Sequence, residues 1–199
     1  MTAIRKLIIA TAAAVAVLAL TAGSAMACSY SGPEQVFRPW GDLNYYVLAP
    51  DGGFESGGTG WDLNGGAGVV RGNESFYLND AGDRRSLALP DGSSAVSPAI
   101  CMAIDTPSFR LVARNSGDPS SELRVEAVHE LLGLLNTKVV GNVKAGSAWV
   151  PTESVSTVLT LSTVVGTVTP SSIEIRIRPR DTRGEWRIDD LYIDPFARH

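Results

Sequence analysis

The side chains that most often carry catalysis are few in this 199-residue chain, which has only two histidines and two cysteines. The stretch His129-Glu130-Leu131-Leu132-Gly133 starts like the zinc-binding sequence His-Glu-x-x-His, but glycine stands where the second histidine ligand is needed. The chain contains neither a Gly-x-Ser-x-Gly nucleophile turn nor a phosphate-binding Gly-x-x-x-x-Gly-Lys sequence. Its 21 acidic residues could be paired for glycoside hydrolysis in many ways, so the sequence selects no pair. We therefore expect a protein without catalytic activity.

Arginine and glutamate alternate with apolar residues along three segments, Phe109–Arg114, Leu123–Val128 and Ile173–Arg178. If the apolar residues face a core, the opposite faces carry Arg110, Arg114, Arg124, Glu126, Glu174, Arg176 and Arg178. Neighbouring guanidinium groups can hold an acidic glycan or another anion through paired hydrogen bonds. The pattern allows two interpretations. One is an anion-binding sheet face with Arg110, Arg124, Arg176 and Arg178 as ligands, and the other, which we expect, is a solvated ladder of arginine–glutamate pairs.

The elements that must position these residues are short β-strands. The alternating segments are typical of strands with one face in a core and the other in water. The segment Val155–Val168 has no charge and suits a strand or hairpin. Turn sequences such as Asn64-Gly65-Gly66 separate the strands, and the chain has 20 glycines and 11 prolines. This spacing predicts an all-β fold, an antiparallel β-sandwich of the jelly-roll type.

The first 27 residues have the features of a secretory signal peptide. Arg5 and Lys6 precede the apolar stretch Leu7–Ala22, and Ala25-Met26-Ala27 has the small residues of a cleavage site. The apolar stretch is shorter than the roughly 20 residues of a membrane-spanning helix. We expect a secreted, extracellular protein without a membrane span after cleavage, with an N-terminal arm at residues 28–50 and one domain at residues 51–199.

The charge balance bears on the partner. The chain has 17 basic and 21 acidic residues and a net charge of −4. Binding to a phosphate backbone requires a surplus of lysine and arginine. We therefore expect no nucleic-acid partner.

The two cysteines, Cys28 and Cys101, are both retained after the predicted cleavage. Two cysteines in an exported chain most simply form one disulfide. Cys28 would also be the first residue of the mature chain, where a lipoprotein carries its lipid, but Ala25 stands where the lipidation signal has leucine. We expect the Cys28–Cys101 disulfide, with lipidation of Cys28 or two free thiols as the alternatives.

Motifs at both ends of the domain are similar to those of a known family. The sequence Asp51-Gly52-Gly53-Phe54-Glu55-Ser56-Gly57, followed by Gly60-Trp61, resembles the opening of jelly-roll carbohydrate-binding modules of the galactose-binding-domain-like superfamily. The segment Trp186–Asp194 resembles their closing strand. The family usually has asparagine where Asp51 stands, and both residues suit a turn. The resemblance implies a jelly-roll fold and a carbohydrate ligand.

The resemblance also implies a structural calcium ion that joins the first and last strands. Glu55 and Asp190 match the family's carboxylate ligands, with backbone carbonyls completing the six to eight oxygens that Ca²⁺ takes. If Ile188, Leu191 and Ile193 all face the core, strict alternation fails at Asp189-Asp190, so these residues need either a cation or a bulge. The alternative is that both aspartates are solvated at a strand edge.

A glycan ligand requires exposed aromatic rings on which sugars stack. Trp61, Trp149 and Trp186 lie in or beside the motifs, and Trp40 lies in the arm, so we expect all four to pack within the fold. The remaining candidates are Tyr77, Tyr45 and Tyr46, of which Tyr77 is preferred. The expected function is an exported, non-catalytic module, with carbohydrate binding as the first hypothesis. The alternatives are a structural or interaction protein of the cell exterior and a hydrolase with an unrecognised active site.

Overall fold

The computed structural model describes residues 32–101, 108–131, 134–156, 172–180 and 183–194. The predicted signal peptide and Cys28 lie outside these ranges, as does most of the uncharged segment after Ser156. Within the described ranges, no helix is long and apolar enough to cross a membrane.

The described secondary structure is a 3₁₀ helix at Arg38–Trp40 and thirteen strands. The strands are β1 (Val47–Leu48), β2 (Asp62–Asn64), β3 (Gly68–Arg71), β4 (Arg85–Leu89), β5 (Ser94–Val96), β6 (Ile100–Cys101), β7 (Ser108–Asn115), β8 (Glu122–Leu131), β9 (Leu134–Val143), β10 (Val150–Pro151), β11 (Val155–Ser156), β12 (Ser172–Arg180) and β13 (Trp186–Asp194).

The strands form two antiparallel sheets that pack as a sandwich. The first sheet has the order β10-β7-β13-β4-β3, with β1 paired to β13 and β11 paired to β7. The second sheet has the order β2-β5-β12-β8-β9, with β6 paired to β12. The predicted all-β sandwich is confirmed.

The core between the sheets consists of the apolar residues that alternate along the strands. It includes the three sets predicted to point inward: Phe109, Leu111 and Ala113; Leu123, Val125 and Ala127; and Ile173, Ile175 and Ile177. Trp61 and Trp186 are also buried there, as expected. The indole N–H of Trp186 donates to Ser121 Oγ at 2.8 Å, so its burial leaves no polar group unpaired.

The N-terminal arm packs on the outer face of the first sheet. Phe37 and Tyr46 form a buried cluster with Tyr192 of β13, and β1 extends the sheet. Arg110 of β7 lies under this arm, where its guanidinium binds Asp42 at 2.7 Å. The expectation that Arg110 shares a face with the arginines of β8 and β12 is therefore wrong, because β7 belongs to the other sheet.

The closing strand β13 contains the irregularity that the sequence indicated. Ile188, Leu191 and Ile193 all lie in the core, and the register shifts between Asp189 and Tyr192. Asp190 has a left-handed φ of 48°, which identifies the extra residue of the bulge. Of the two predicted alternatives, a cation or a bulge, the register shift shows the bulge. The Leu191 N–H donates to the Gly52 carbonyl at 3.1 Å, so the opening and closing motifs are in direct contact.

Candidate ligand-binding cleft

A cleft of about 700 Å³ lies at one end of the first sheet, where β3 and β4 are joined by the loop of residues 72–84. It is lined by Arg71, Gly72, Asn73, Tyr77, Asp83, Arg84 and Arg85. Most of these side chains are polar and planar, and one is aromatic. Such a lining suits a ligand that has both flat apolar faces and many hydroxyl groups.

The 72–84 loop is organised around the buried carboxylate of Glu74. This carboxylate accepts the N–H of Phe76, and it accepts the N–H of Leu78 at 2.7 Å. The Glu74 N–H in turn donates to Asp189 Oδ2 at 3.0 Å, which fastens the loop to the closing strand. Because these hydrogen bonds are made inside the protein, the loop holds its shape without a ligand.

Tyr77 is presented outward by this loop. It has a left-handed φ of 53° and is 49% exposed. Its two neighbours are anchored, since Leu78 packs against the arm cluster and Phe76 contacts the ring of Trp40 at 4.9 Å between centroids. A non-glycine residue in this backbone region is uncommon and is often found at binding sites.

The other two tyrosine candidates have different surroundings. Tyr46 is fully buried, and its hydroxyl donates to Asp42 Oδ2 at 2.7 Å, so it cannot contact a ligand. Tyr45 is exposed but does not line the cleft. Of the three tyrosines, the cleft contains only Tyr77.

Three arginines that the sequence analysis did not single out form the rim of the cleft. Arg71 and Arg85 lie directly opposite each other on β3 and β4. Arg84 is the last residue of the loop, directly before Arg85, and its Nη1 donates to the carbonyls of Ala81 and Asp83 at 3.0 and 2.6 Å. The signal in the sequence was Arg84-Arg85, two adjacent arginines in an acidic chain, which the structure places at the start of β4.

Glu55 of the opening motif positions part of this rim. Its Oε1 accepts the backbone N–H groups of Arg84 and Arg85, both at 2.7 Å. Asp51 shapes the same motif, because its carboxylate accepts the N–H groups of Ser56, Gly58 and Thr59 at 2.7 to 2.9 Å. The acids of the opening motif therefore hold backbone at the base of the cleft.

A buried group of acids lies beneath the cleft. Asp190 is 1% exposed, and among the described residues its carboxylate oxygens make no well-formed hydrogen bond, although the backbone N–H of Asn79 lies near enough to favour the charged form. Burial, together with the negative charges of Glu74, Asp83 and Glu55, raises the pKa of Asp190 to about 7. Burial and the charge of Asp190 raise the pKa of the neighbouring Asp189 to about 9. These carboxyls are in surroundings that favour either a proton or a cation.

Comparisons with known proteins give the fold but no close relative. No protein-family model matches the sequence, and no curated protein sequence matches it. A xylan-binding CBM22-1 domain from Paenibacillus barcinonensis superposes with a TM-score of 0.50 at 14% identity, over 76% of this chain and 99% of that domain. The CBM22-1–GH10 modules of Clostridium thermocellum endo-1,4-β-D-xylanase 10B, complexed with xylohexaose, give 0.53 at 16% identity. That match covers 79% of this chain and 30% of the xylanase chain.

The chain has the fold of jelly-roll carbohydrate-binding modules. The same fold occurs in other settings, since the enzymatically active domain of bacteriophage CBA120 tailspike protein 4 gives a TM-score of 0.51 at 15% identity, over 75% of this chain and 21% of that one. At sequence identities this low, the structural similarity shows the fold, and the nature of any ligand depends on the side chains of this chain.

The predicted calcium site of this carbohydrate-binding-module fold can be tested against the residues present. The two carboxylate oxygens of Asp190 are suitable donors for a hard cation. Gly53 closes over them, because a Cβ atom there would lie 3.1 Å from Asp190 Oδ1. Among the described residues, however, no three His, Cys, Asp or Glu side chains form a ready metal cluster. The residues therefore fit calcium only if backbone carbonyls complete the ligand set, as the prediction requires.

The predicted arginine face lies on the second sheet, on the other side of the sandwich. Arg176 and Arg178 of β12 both bind Glu126 of β8, at 3.5 and 2.7 Å. Arg124 lies opposite Arg178 in the register. The strand partners of these three arginines, which are Val96, Glu126 and Asn142, include no aromatic residue. The two ion pairs are those of the expected arginine–glutamate ladder. The role of Arg124, Arg176 and Arg178 as ligands of an anion stays a prediction.

Proposed function

We propose that this chain is a secreted, non-catalytic carbohydrate-binding module whose ligand binds in the Tyr77 cleft. The observation that carries the proposal is the presentation of Tyr77, a half-exposed aromatic ring on a left-handed residue, at a cleft of about 700 Å³. Export rests on the signal-peptide features of residues 1–27. The absence of catalysis rests on the missing catalytic motifs of the sequence.

The chemistry of the lining supports a sugar ligand. A sugar ring has an apolar face of C–H groups that packs on an aromatic ring, and hydroxyl groups at its edge that bond to amides, carboxylates and guanidinium groups. Tyr77 supplies the ring, and Asn73, Asp83 and the rim arginines supply the polar groups. Because the loop is held by Glu74, little ordering entropy is lost when a ligand binds.

Binding of oligosaccharides by isothermal titration calorimetry tests this proposal. Loss of one sugar–aromatic contact costs roughly 1.4 kcal/mol, so Tyr77→Ala should weaken binding about tenfold. Tyr45→Ala is the matched control, because Tyr45 is equally exposed but lies outside the cleft. Unchanged affinity in Tyr77→Ala would place the ligand elsewhere. Failure of every oligosaccharide to bind would favour a structural or interaction protein.

Calcium is the second part of the proposal. Asp190 and Glu55 would hold Ca²⁺ together with backbone carbonyls, and the ion would neutralise the acids that surround Asp190. Metal that binds only the folded state raises stability by mass action, by about 2.7 kcal/mol at 100 times the dissociation constant. Calcium should therefore raise the melting temperature of the wild type, and a chelator should lower it.

Substitutions separate this site from unspecific calcium effects. Asp190→Asn should abolish the calcium shift, and Glu55→Gln should reduce it. Asp91→Asn removes an exposed turn carboxylate and should keep the full shift. The site is wrong if calcium leaves the wild type unchanged or if Asp190→Asn retains the shift.

A further inference from the structure

We infer that the Tyr77 cleft selects glycans that carry carboxylate groups, such as uronic acids, over neutral glycans of the same backbone. The inference rests on the proposed function of this cleft. It is carried by Arg71, Arg84 and Arg85, three guanidinium groups that line one side of a cleft on an acidic protein with a sequence pI of about 5.2.

The register of β3 and β4 places two of the rim arginines next to each other. Arg71 and Arg85 are direct cross-strand neighbours, and like charges in this arrangement destabilise a sheet. None of the ion pairs within the described ranges includes Arg71, Arg84 or Arg85. The arginines of the second sheet differ, since Arg176 and Arg178 share the carboxylate of Glu126. Among the described residues the rim arginines therefore have no ion-pair partner, and a bound carboxylate would supply one.

Neutral contacts hold the guanidinium group of Arg84 in place. The two acceptors of the Arg84 guanidinium are backbone carbonyls, which orient the side chain and leave its charge uncompensated. Arg187 adds a fourth guanidinium nearby, with its Nη1 donating to the Arg71 carbonyl at 3.2 Å. Fixed guanidinium groups bind planar carboxylates through two parallel hydrogen bonds, which gives selectivity as well as affinity.

Two acids, Asp83 and Glu55, lie close to the rim, but among the described residues neither forms an ion pair with its three arginines. Asp83 is buried, and its Oδ2 accepts a hydrogen bond from Asn79 at 2.8 Å. Glu55 directs Oε1 to the backbone N–H groups of Arg84 and Arg85. Asp83 lines the cleft but is buried, Glu55 is half-buried, and all three arginines are exposed.

The experiment compares two matched pairs of ligands by calorimetry. The first pair is oligogalacturonate and its fully methyl-esterified form, and the second is xylohexaose with and without a glucuronic acid branch. We expect at least one acidic ligand to bind about tenfold more tightly than its neutral partner at low salt. This preference should shrink as the salt concentration rises, because exposed charges are screened over about 10 Å at 0.1 M salt.

Two variants assign the preference to the rim. The double variant Arg71→Gln/Arg85→Gln should lose the preference and the salt dependence, while its melting temperature stays at or above that of the wild type because a like-charge pair is removed. The control Lys144→Gln removes one positive charge from a side chain that is 77% exposed and that directly follows β9 of the second sheet. It should keep the preference.

The outcomes separate the inference from the proposed function. Equal binding of acidic and neutral partners, or a preference that survives in the double variant, overturns the inference and leaves the glycan-binding cleft standing. If none of the four ligands binds, or if they bind equally well to Tyr77→Ala, the proposed function fails and the inference fails with it.

Discussion

Replacing Asp42 by alanine should release the N-terminal arm from the first sheet. Asp42 Oδ2 binds Arg110 Nη1 at 2.7 Å, and the two side chains are only 15% and 7% exposed. The same oxygen accepts the hydroxyl of Tyr46 at 2.7 Å. Without Asp42, the buried guanidinium retains the Thr152 carbonyl and the face of Phe37, but neither neutralises its charge. Removing one partner of a buried ion pair costs about 3 to 5 kcal/mol, so we expect a loss of about 3 kcal/mol.

Urea unfolding measures this loss, and a surface pair provides the comparison. Glu122→Ala breaks the ion pair with Lys144, whose side chain is 77% exposed, and should cost less than about 1 kcal/mol. The double variant Asp42→Ala/Arg110→Met should recover part of the stability, because it removes the uncompensated charge. The reasoning is refuted if Asp42→Ala costs no more than Glu122→Ala, or if the double variant is as unstable as the sum of the two single variants.

Three further predictions concern acid stability, the arginine ladder and the disulfide. Burial raises the pKa of Asp42, but its hydrogen bonds and the charge of its arginine partner outweigh this, so the folded pKa lies below the ordinary 3.8. Asp42 therefore stabilises the folded protein above about pH 4, and this stabilisation is lost as the pH falls through the folded pKa of Asp42. The difference in free energy of unfolding between the wild type and Asp42→Asn should narrow only in that acidic range. Glu126→Gln should lower the free energy of unfolding in urea by about 2 kcal/mol, a moderate loss because the two arginines that bind Glu126 are partly exposed. The same variant should leave glycan binding unchanged. Mass spectrometry of the secreted protein, alkylated without reduction, should show a Cys28–Cys101 cross-link, and an alkylated thiol or an acylated Cys28 would contradict it.

The local pattern of the sequence predicted β7, β8 and β12 and the buried faces of these strands. Phe109, Leu111 and Ala113 point inward because alternation along a strand has a fixed period of two. The failure of alternation at Asp189-Asp190 followed from the same rule, which left a cation or a bulge as the explanation, and the register shift there shows the bulge. Local patterns do not show which strands are neighbours. For that reason Arg110 was grouped with arginines of a sheet to which it does not belong.

The cleft was only partly predictable. Tyr77 was a candidate because few aromatic residues lay outside the motifs. Its orientation depends on the buried carboxylate of Glu74, and no sequence pattern indicates that this glutamate is buried. The meeting of Arg71 and Arg85 depends on the register of β3 and β4 across a long loop. Such register is fixed by tertiary packing, and a single sequence does not report it.

The motifs that identify the fold and the residues that line the cleft are physically connected. Asp51 and Glu55 direct their carboxylate oxygens to backbone N–H groups, so replacing either one would leave donors unpaired at the junction of the two end motifs. Arg71 and Tyr77 project from the same frame into solvent, and their replacement leaves every backbone hydrogen bond of the frame intact. Substitution of Asp51 or Glu55 therefore lowers the stability of the fold. The choice of ligand depends instead on exposed residues, which can be replaced with little loss of stability. This division explains why short motifs report the architecture of this chain, while its ligand has to be argued from the charge and exposure of the cleft.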